Sequence, residues 1–193
     1  MLVILDSGHN ELVKGKEAPN KSFRAWEFNN DMQYRIKEKL EKCNIEVYLT
    51  NPDPKNKGEI GLTKRANLAN DYWKKKNKPK ALFISLHANA YKNEFNSARG
   101  TETYIASNAS NNSKKAAKLI QEEVFKAFKD IDSNAKDRGV KVENFTVIYK
   151  ASMPSILVEY GFYTNLEDLC VLRCHRDELV IATVNGIKKY FGV

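Results

Sequence analysis

Two of the chain's three histidines, His9 and His87, stand directly after short apolar runs. The first run is Leu2-Val3-Ile4-Leu5, followed by Asp6-Ser7-Gly8; the second is Ala81-Leu82-Phe83-Ile84-Ser85-Leu86. Wholly apolar runs of this length read as buried strands of a parallel sheet. In open α/β sheets, functional groups gather beyond the carboxyl ends of the strands. Both imidazoles are therefore expected at one sheet edge. Imidazole and carboxylate are natural zinc ligands, and a catalytic zinc keeps three protein ligands plus water. Glu27, at the start of the next helical segment, is the candidate third ligand, reaching back across the 10–24 connection. Glu159 ends a later apolar strand and is expected to bring a second carboxylate to the same edge. Spacing alone leaves an alternative open, because there is no compact His-Glu-x-x-His pattern here. The histidines then belong to turns or core, and Glu27 is a solvated helix-start carboxylate.

The elements that must position these residues alternate along the chain. Phe28, Met32, Ile36 and Leu40 recur every four residues and predict a helix over 26–42. Residues 45–49 read as a second strand. Leu62, Ala66, Ala69 and Trp73 form a thinner helical stripe. Residues 100–106 predict a fourth strand, and Ala117, Ile120, Val124 and Phe128 another helix. Residues 146–149 and 155–159 read as short strands, and Val180, Val184, Ile187 and Phe191 mark a last helix. The polar connections 15–22, 51–59 and 91–99 are expected to be the least ordered parts. The fold class this order implies is α/β: one domain over 1–193, with a largely parallel sheet of about six strands and helices on both faces.

Composition narrows the classes. At 193 residues, with 42% hydrophobic and 29% charged residues, the chain is long enough to bury a core without disulfides and does not resemble a disordered protein. No apolar run approaches the roughly 18 residues needed to cross a bilayer, so no membrane insertion is expected. No basic segment precedes the opening apolar run, so no signal peptide is expected. Cys43, Cys170 and Cys174 cannot all pair within one chain, and read as buried or incidental thiols. The net charge of +8 suits an anionic partner. Yet 25 Lys stand against 7 Arg, and nucleic-acid readers depend on Arg for bidentate contacts, so a nucleic-acid partner is not favoured. His175 sits in a charged stretch and is expected to be exposed and idle, and Trp26 and Trp73 to be core or groove wall.

The sequence around the chemical residues resembles the zinc-dependent N-acetylmuramoyl-L-alanine amidases, which cut bacterial peptidoglycan. The matching segments are Leu2-Val3-Ile4-Leu5-Asp6-Ser7-Gly8-His9, Glu27-Phe28-Asn29 and Phe83-Ile84-Ser85-Leu86-His87-Ala88-Asn89-Ala90. They continue with Arg99-Gly100-Thr101-Glu102-Thr103-Tyr104, Asp137-Arg138-Gly139-Val140-Lys141 and Pro154-Ser155-Ile156-Leu157-Val158-Glu159-Tyr160-Gly161-Phe162-Tyr163-Thr164-Asn165. Each motif alone is weak; six in order are specific. Ser7 departs from the family's usual Pro and Asn10 from a common Gly, both within the turn.

The resemblance implies that His9, Glu27 and His87 hold Zn2+ and that Glu159 is the catalytic carboxylate. It implies hydrolysis of the amide joining the lactyl group of N-acetylmuramic acid to L-alanine. Asn89 and Arg65 are substrate-binding candidates, with a turn hydrogen bond and a surface helix charge as their respective alternatives. The expected partner is peptidoglycan, with anionic wall polymers as a further one, and the chain is expected to act as a monomer. Synthesis in the cytoplasm and action on the wall after release, as for a phage or prophage endolysin, is expected, with a bacterial autolysin next and no separate wall-binding domain. Two rivals are a zinc peptidase acting on the stem peptide and a non-catalytic basic module binding nucleic acid or wall polymer. If the positive surface holds the protein to anionic walls, lysis of whole walls should fall as salt rises, because exposed charges are screened beyond about 8 Å at physiological ionic strength. Cleavage of a small soluble muropeptide, measured in the same salt series, should change little.

Overall fold

The apolar runs pair side by side because each is hydrophobic on both faces and must be covered twice. The computed structural model describes all residues except 56, 57 and 59, three positions of the expected 51–59 connection. The elements are β1 (Leu2–Ser7), α1 (Ala25–Lys42), β2 (Glu46–Leu49), α2 (Leu62–Lys75), β3 (Ala81–Asn89) and β4 (Thr101–Ile105). They continue with α3 (Asn111–Ile131), β5 (Asp137–Val142), α4 (Thr146–Tyr149), β6 (Ser155–Phe162), α5 (Leu166–Cys174) and α6 (Arg176–Phe191). The sheet order is β2-β1-β3-β6-β4-β5. β2, β1, β3 and β6 are mutually parallel. β4 lies antiparallel to β6, with β5 parallel to β4. The expected α/β class, largely parallel sheet and strand number are all found.

Alternation along the strands divides the core in two. Val3, Leu5, Leu82, Ile84, Ile156 and Val158 face one side, packed with Phe28 and Ile36 of α1, Ile120 of α3, Leu172 of α5 and Ile187 of α6. Leu2, Ile4, Phe83 and Leu157 face the other, against Ala69 of α2 and Val147 and Ile148 of α4. Helix ends follow local chemistry. The Ser110 hydroxyl accepts from Ser113 N at 3.1 Å and Asn165 Oδ1 from Asp168 N at 3.1 Å, capping α3 and α5. Gly192, at φ 81°, closes α6 in the left-handed conformation. No helix among the described residues is long and apolar enough to cross a membrane.

The structure corrects one expected element and adds two. Residues 146–149 are a helical turn instead of a strand. Their β-branched composition reflects burial of Val147 and Ile148 on the second core. β5 escapes hydropathy patterning because it is an edge strand with no fully buried residue. α5 was not foreseen as a separate helix; it is short, and stands apart from α6 at His175. The three cysteines are free and exposed, which leaves the incidental alternative.

Gly186 of α6 marks a close helix contact, since a Cβ there would come within 2.8 Å of the Ile120 Cα of α3. Gly186→Ala should therefore force the helices apart and destabilise by about 1–3 kcal/mol, read from urea denaturation midpoints.

Candidate active site

β1 and β3 are adjacent and parallel, so their carboxyl ends deliver His9 and His87 to one place. The ring centroids lie 5.1 Å apart in an edge-to-face arrangement. β6 lies on the other side of β3, and its Glu159 is in register with His87. All three line a cleft of about 530 Å³ that also contains Lys16, Phe145 and Tyr163. The sequence expectation that His9, His87 and Glu159 share one edge matches this placement.

The turn carrying His9 is strained and tightly held. His9 adopts φ 63°, a left-handed conformation uncommon for a residue with a side chain. Three successive carbonyls are tied down by amides from other elements. Asn51 Nδ2 donates to Ser7 O at 3.0 Å and His9 O at 3.1 Å, and Asn29 Nδ2 donates to Gly8 O at 3.0 Å. Gly8 is required by its neighbour, because a Cβ there would overlap the His87 ring. Beneath the turn, the buried Asp6 carboxylate accepts from Thr50 Oγ1 at 2.6 Å, Ser85 Oγ at 2.7 Å and Arg65 Nη1 at 3.2 Å. Ser85 Oγ also meets His87 Nε2 at 3.1 Å. A serine hydroxyl has one proton and a carboxylate can only accept, so Ser85 gives its proton to Asp6 and accepts from Nε2–H. That leaves Nδ1 as the His87 nitrogen with a free lone pair.

Burial sets the charge states. It lowers the His9 pKa to about 4, helped by the positive charges of Lys16 and Arg65. Burial likewise holds His87 well below the usual imidazole value, with His9, Arg65 and Lys16 adding to it. Both rings are thus neutral near pH 7 and retain lone pairs. Glu159 moves the opposite way, raised to about 8 by burial and by the negative charge of Glu102, against an opposing pull from Lys16. Its Oε2 is buried and meets no hydrogen-bond partner.

Glu102 is a residue whose role was not foreseen, although it lies in a motif already singled out. Antiparallel pairing sets it opposite Glu159. Its buried carboxylate accepts from Asn89 Nδ2 at 2.6 Å, Tyr104 OH at 2.8 Å, Arg138 Nε at 2.6 Å and Lys141 Nζ. The 99–104 and 137–141 motifs thus meet in one ion cluster beside Glu159. Asn89 is committed to this cluster, and its Oδ1 accepts from Ala90 N at 2.8 Å, the turn hydrogen bond set against substrate binding. Arg65 is not a surface charge: it is buried at the cleft, and Nη1 donates to Asp6 and, at 2.9 Å, to Ser7 O. His175 is partly exposed and pairs with Glu178 at 3.1 Å. Trp26 is buried, and Trp73 is partly buried on the second core.

Glu27 is placed elsewhere. It projects from the outer side of α1, half-exposed, 3.7 Å from Arg24. Among the described residues, no three His, Cys, Asp or Glu side chains are grouped so as to hold a metal ion. The two neutral imidazoles suit zinc, but the third ligand that a catalytic zinc takes is not beside them. The donor set does not fit the expected metal as a three-ligand site.

A largely parallel α/β sheet with this edge is the architecture of peptidoglycan amidase catalytic domains. The chain belongs to the N-acetylmuramoyl-L-alanine amidase family, which it matches over residues 3–189. It is 31% identical over 192 residues to the N-acetylmuramoyl-L-alanine amidase LytC of Bacillus subtilis, covering 98% of this chain and 35% of LytC. It is 32% identical over 106 residues to an endolysin of Bacillus phage SPP1, covering 53% of this chain and 37% of the endolysin. The structure of N-acetylmuramoyl-L-alanine amidase from Clostridium difficile 630 superimposes with a TM-score of 0.85 at 29% identity, covering 99% of this chain and 96% of that one. The chain thus spans about a third of the length of these two curated relatives.

Arg65→Met leaves the Asp6 charge buried and unpaired, and should destabilise the fold by about 3–5 kcal/mol in denaturation experiments. Lys37→Ala, which removes an exposed ion pair with Glu41, should cost no more than about 0.5 kcal/mol. A stable Arg65→Met with only a raised KM would instead make Arg65 a substrate ligand.

Proposed function

We propose that this chain hydrolyses the amide between the lactyl group of N-acetylmuramic acid and L-alanine in peptidoglycan. The observation that carries the reading is Glu159: a carboxyl with one buried, unpartnered oxygen, in a cleft shared with two histidines, in a chain of the amidase family. The substrate amide is unstrained and its amine leaves poorly unless protonated. In its ionised form Glu159 takes a proton from the attacking water, and as the resulting acid it passes that proton to the leaving nitrogen, the general acid–base role. Burial and the facing Glu102 favour the proton-carrying form, so the group can act as donor. The Glu102 cluster ties β4 to β5 and to the end of β3 beside the cleft. Lys16 lines the cleft and supplies positive charge facing Glu159.

Zinc dependence is the expected property that the geometry supports least. His9 and His87 are the donors proposed for a metal, and Glu27 is not beside them. The steps assigned above belong to Glu159 and its surroundings alone. The expected setting is the bacterial cell wall, as for the relatives named amidase and endolysin.

Digestion of purified peptidoglycan in zinc-supplemented buffer tests the bond. New N-terminal L-alanine should appear without new reducing sugar ends. New reducing ends would mark a glycosidase, and a different N-terminal residue a stem-peptide peptidase. Glu159→Gln is nearly isosteric and cannot carry the proton, so turnover should fall by about two to four orders of magnitude while the fold and wall binding persist. Retained turnover would remove Glu159 from the mechanism.

A further inference from the structure

Helix geometry explains why the cleft lacks a third ligand. Residues four apart on a helix share a face, whereas residues two apart point about 200° away from each other. Asn29 of α1 faces the β1 turn, since its amide donates to Gly8 O, beside both histidines. Residue 25 lies one turn earlier on that face, and it is a fully buried alanine. A second contact places it independently: Ala25 N donates at 2.9 Å to the carbonyl of Lys16, a residue that lines the cleft. Glu27, two positions off this face, pairs with Arg24 outside. Rotamer changes at Glu27 do not alter which side of the helix its Cα–Cβ bond leaves.

We infer that position 25 is where a third metal ligand would sit, that Ala25 leaves this place empty of donor atoms, and that the chain consequently binds zinc only weakly through His9 and His87. Lys16 adds to the effect, because its ammonium group faces the same cleft and repels a divalent cation. The inference rests on the proposed amidase reading for the meaning of the site, but its measurement is of metal alone.

The experiment is zinc(II) titration of the full chain against a chromophoric chelator, for the wild type, Glu27→Gln, His87→Ala, Ala25→Glu and Ala25→Asp, each checked for fold by circular dichroism. Loss of even a supporting partner of a metal ligand typically costs about 10–100-fold in affinity, so a carboxylate gained at position 25 should tighten zinc by about 100-fold or more. Glu27→Gln should leave the wild-type affinity unchanged, and His87→Ala should weaken it further. Tight stoichiometric zinc in the wild type overturns the inference, whether or not Glu27→Gln abolishes it. So does a folded Ala25→Glu or Ala25→Asp with no gain. If both position-25 variants fail to fold, the wild-type and Glu27→Gln titrations decide alone, because Glu27 is half-exposed and its substitution leaves the fold intact. Release of N-terminal L-alanine by a chain that binds zinc tightly would sink this inference and leave the amidase reading. Absence of that product from a tight-binding Ala25→Glu would do the reverse.

Discussion

The site depends on one buried ion pair, Asp6 with Arg65. Both side chains are almost fully enclosed, and the carboxylate also takes hydroxyl protons from Thr50 and Ser85. One group therefore links the end of β1, the middle of β3, the residue after β2, and α2. A buried pair of this kind is weak as a source of net stability, because desolvation opposes the Coulomb attraction. Its effect here is geometric. Arg65 also reaches Ser7 O, and Ser85 passes the orientation on to His87. The imidazole thereby acquires a defined tautomer and a fixed tilt.

Much of this arrangement can be read from residue order. Apolar runs that stop at His9 and His87 place both histidines at one sheet edge, and the run ending in Glu159 does the same. The placement of Glu27 is less legible. The segment Glu27-Phe28-Asn29 matches a motif in content, while the structure turns on which face each residue occupies. Periodicity held a usable signal: Phe28, Met32, Ile36 and Leu40 define the inward stripe, and Glu27 falls outside it. Sequence leaves Arg65 as a substrate-binding candidate or a surface charge because its buried partner lies 59 residues away. Lys16 sits in a connection without periodicity, so nothing local announced its place in the cleft.

The two motifs around Glu102 show how much a sequence pattern can mean before its role is visible. One lies on a buried strand and the other on an exposed edge strand, with α3 between them. Only the β4–β5 pairing brings Arg138 and Lys141 onto the carboxylate. The cluster then faces Glu159 across an antiparallel pair. The negative charge that helps keep Glu159 protonated is itself neutralised on its far side. Asn89, at the end of β3, joins the same carboxylate, so three strands converge on one group.

The position of β6 in the sheet governs when the site can come into being. β6 is inserted between β3 and β4, though it is the last strand in the chain. Without it the sheet is two separate ribbons, β2-β1-β3 and β4-β5, each presenting an unpaired edge of the sort that invites self-association. Closing the gap requires contacts between residues far apart in sequence, such as His87 with Glu159, and such contacts are slow to form. A nascent chain therefore has neither the cleft nor the Glu159 carboxyl in place until β6 has been synthesised. One strand thus both joins the two halves of the sheet and completes the cleft.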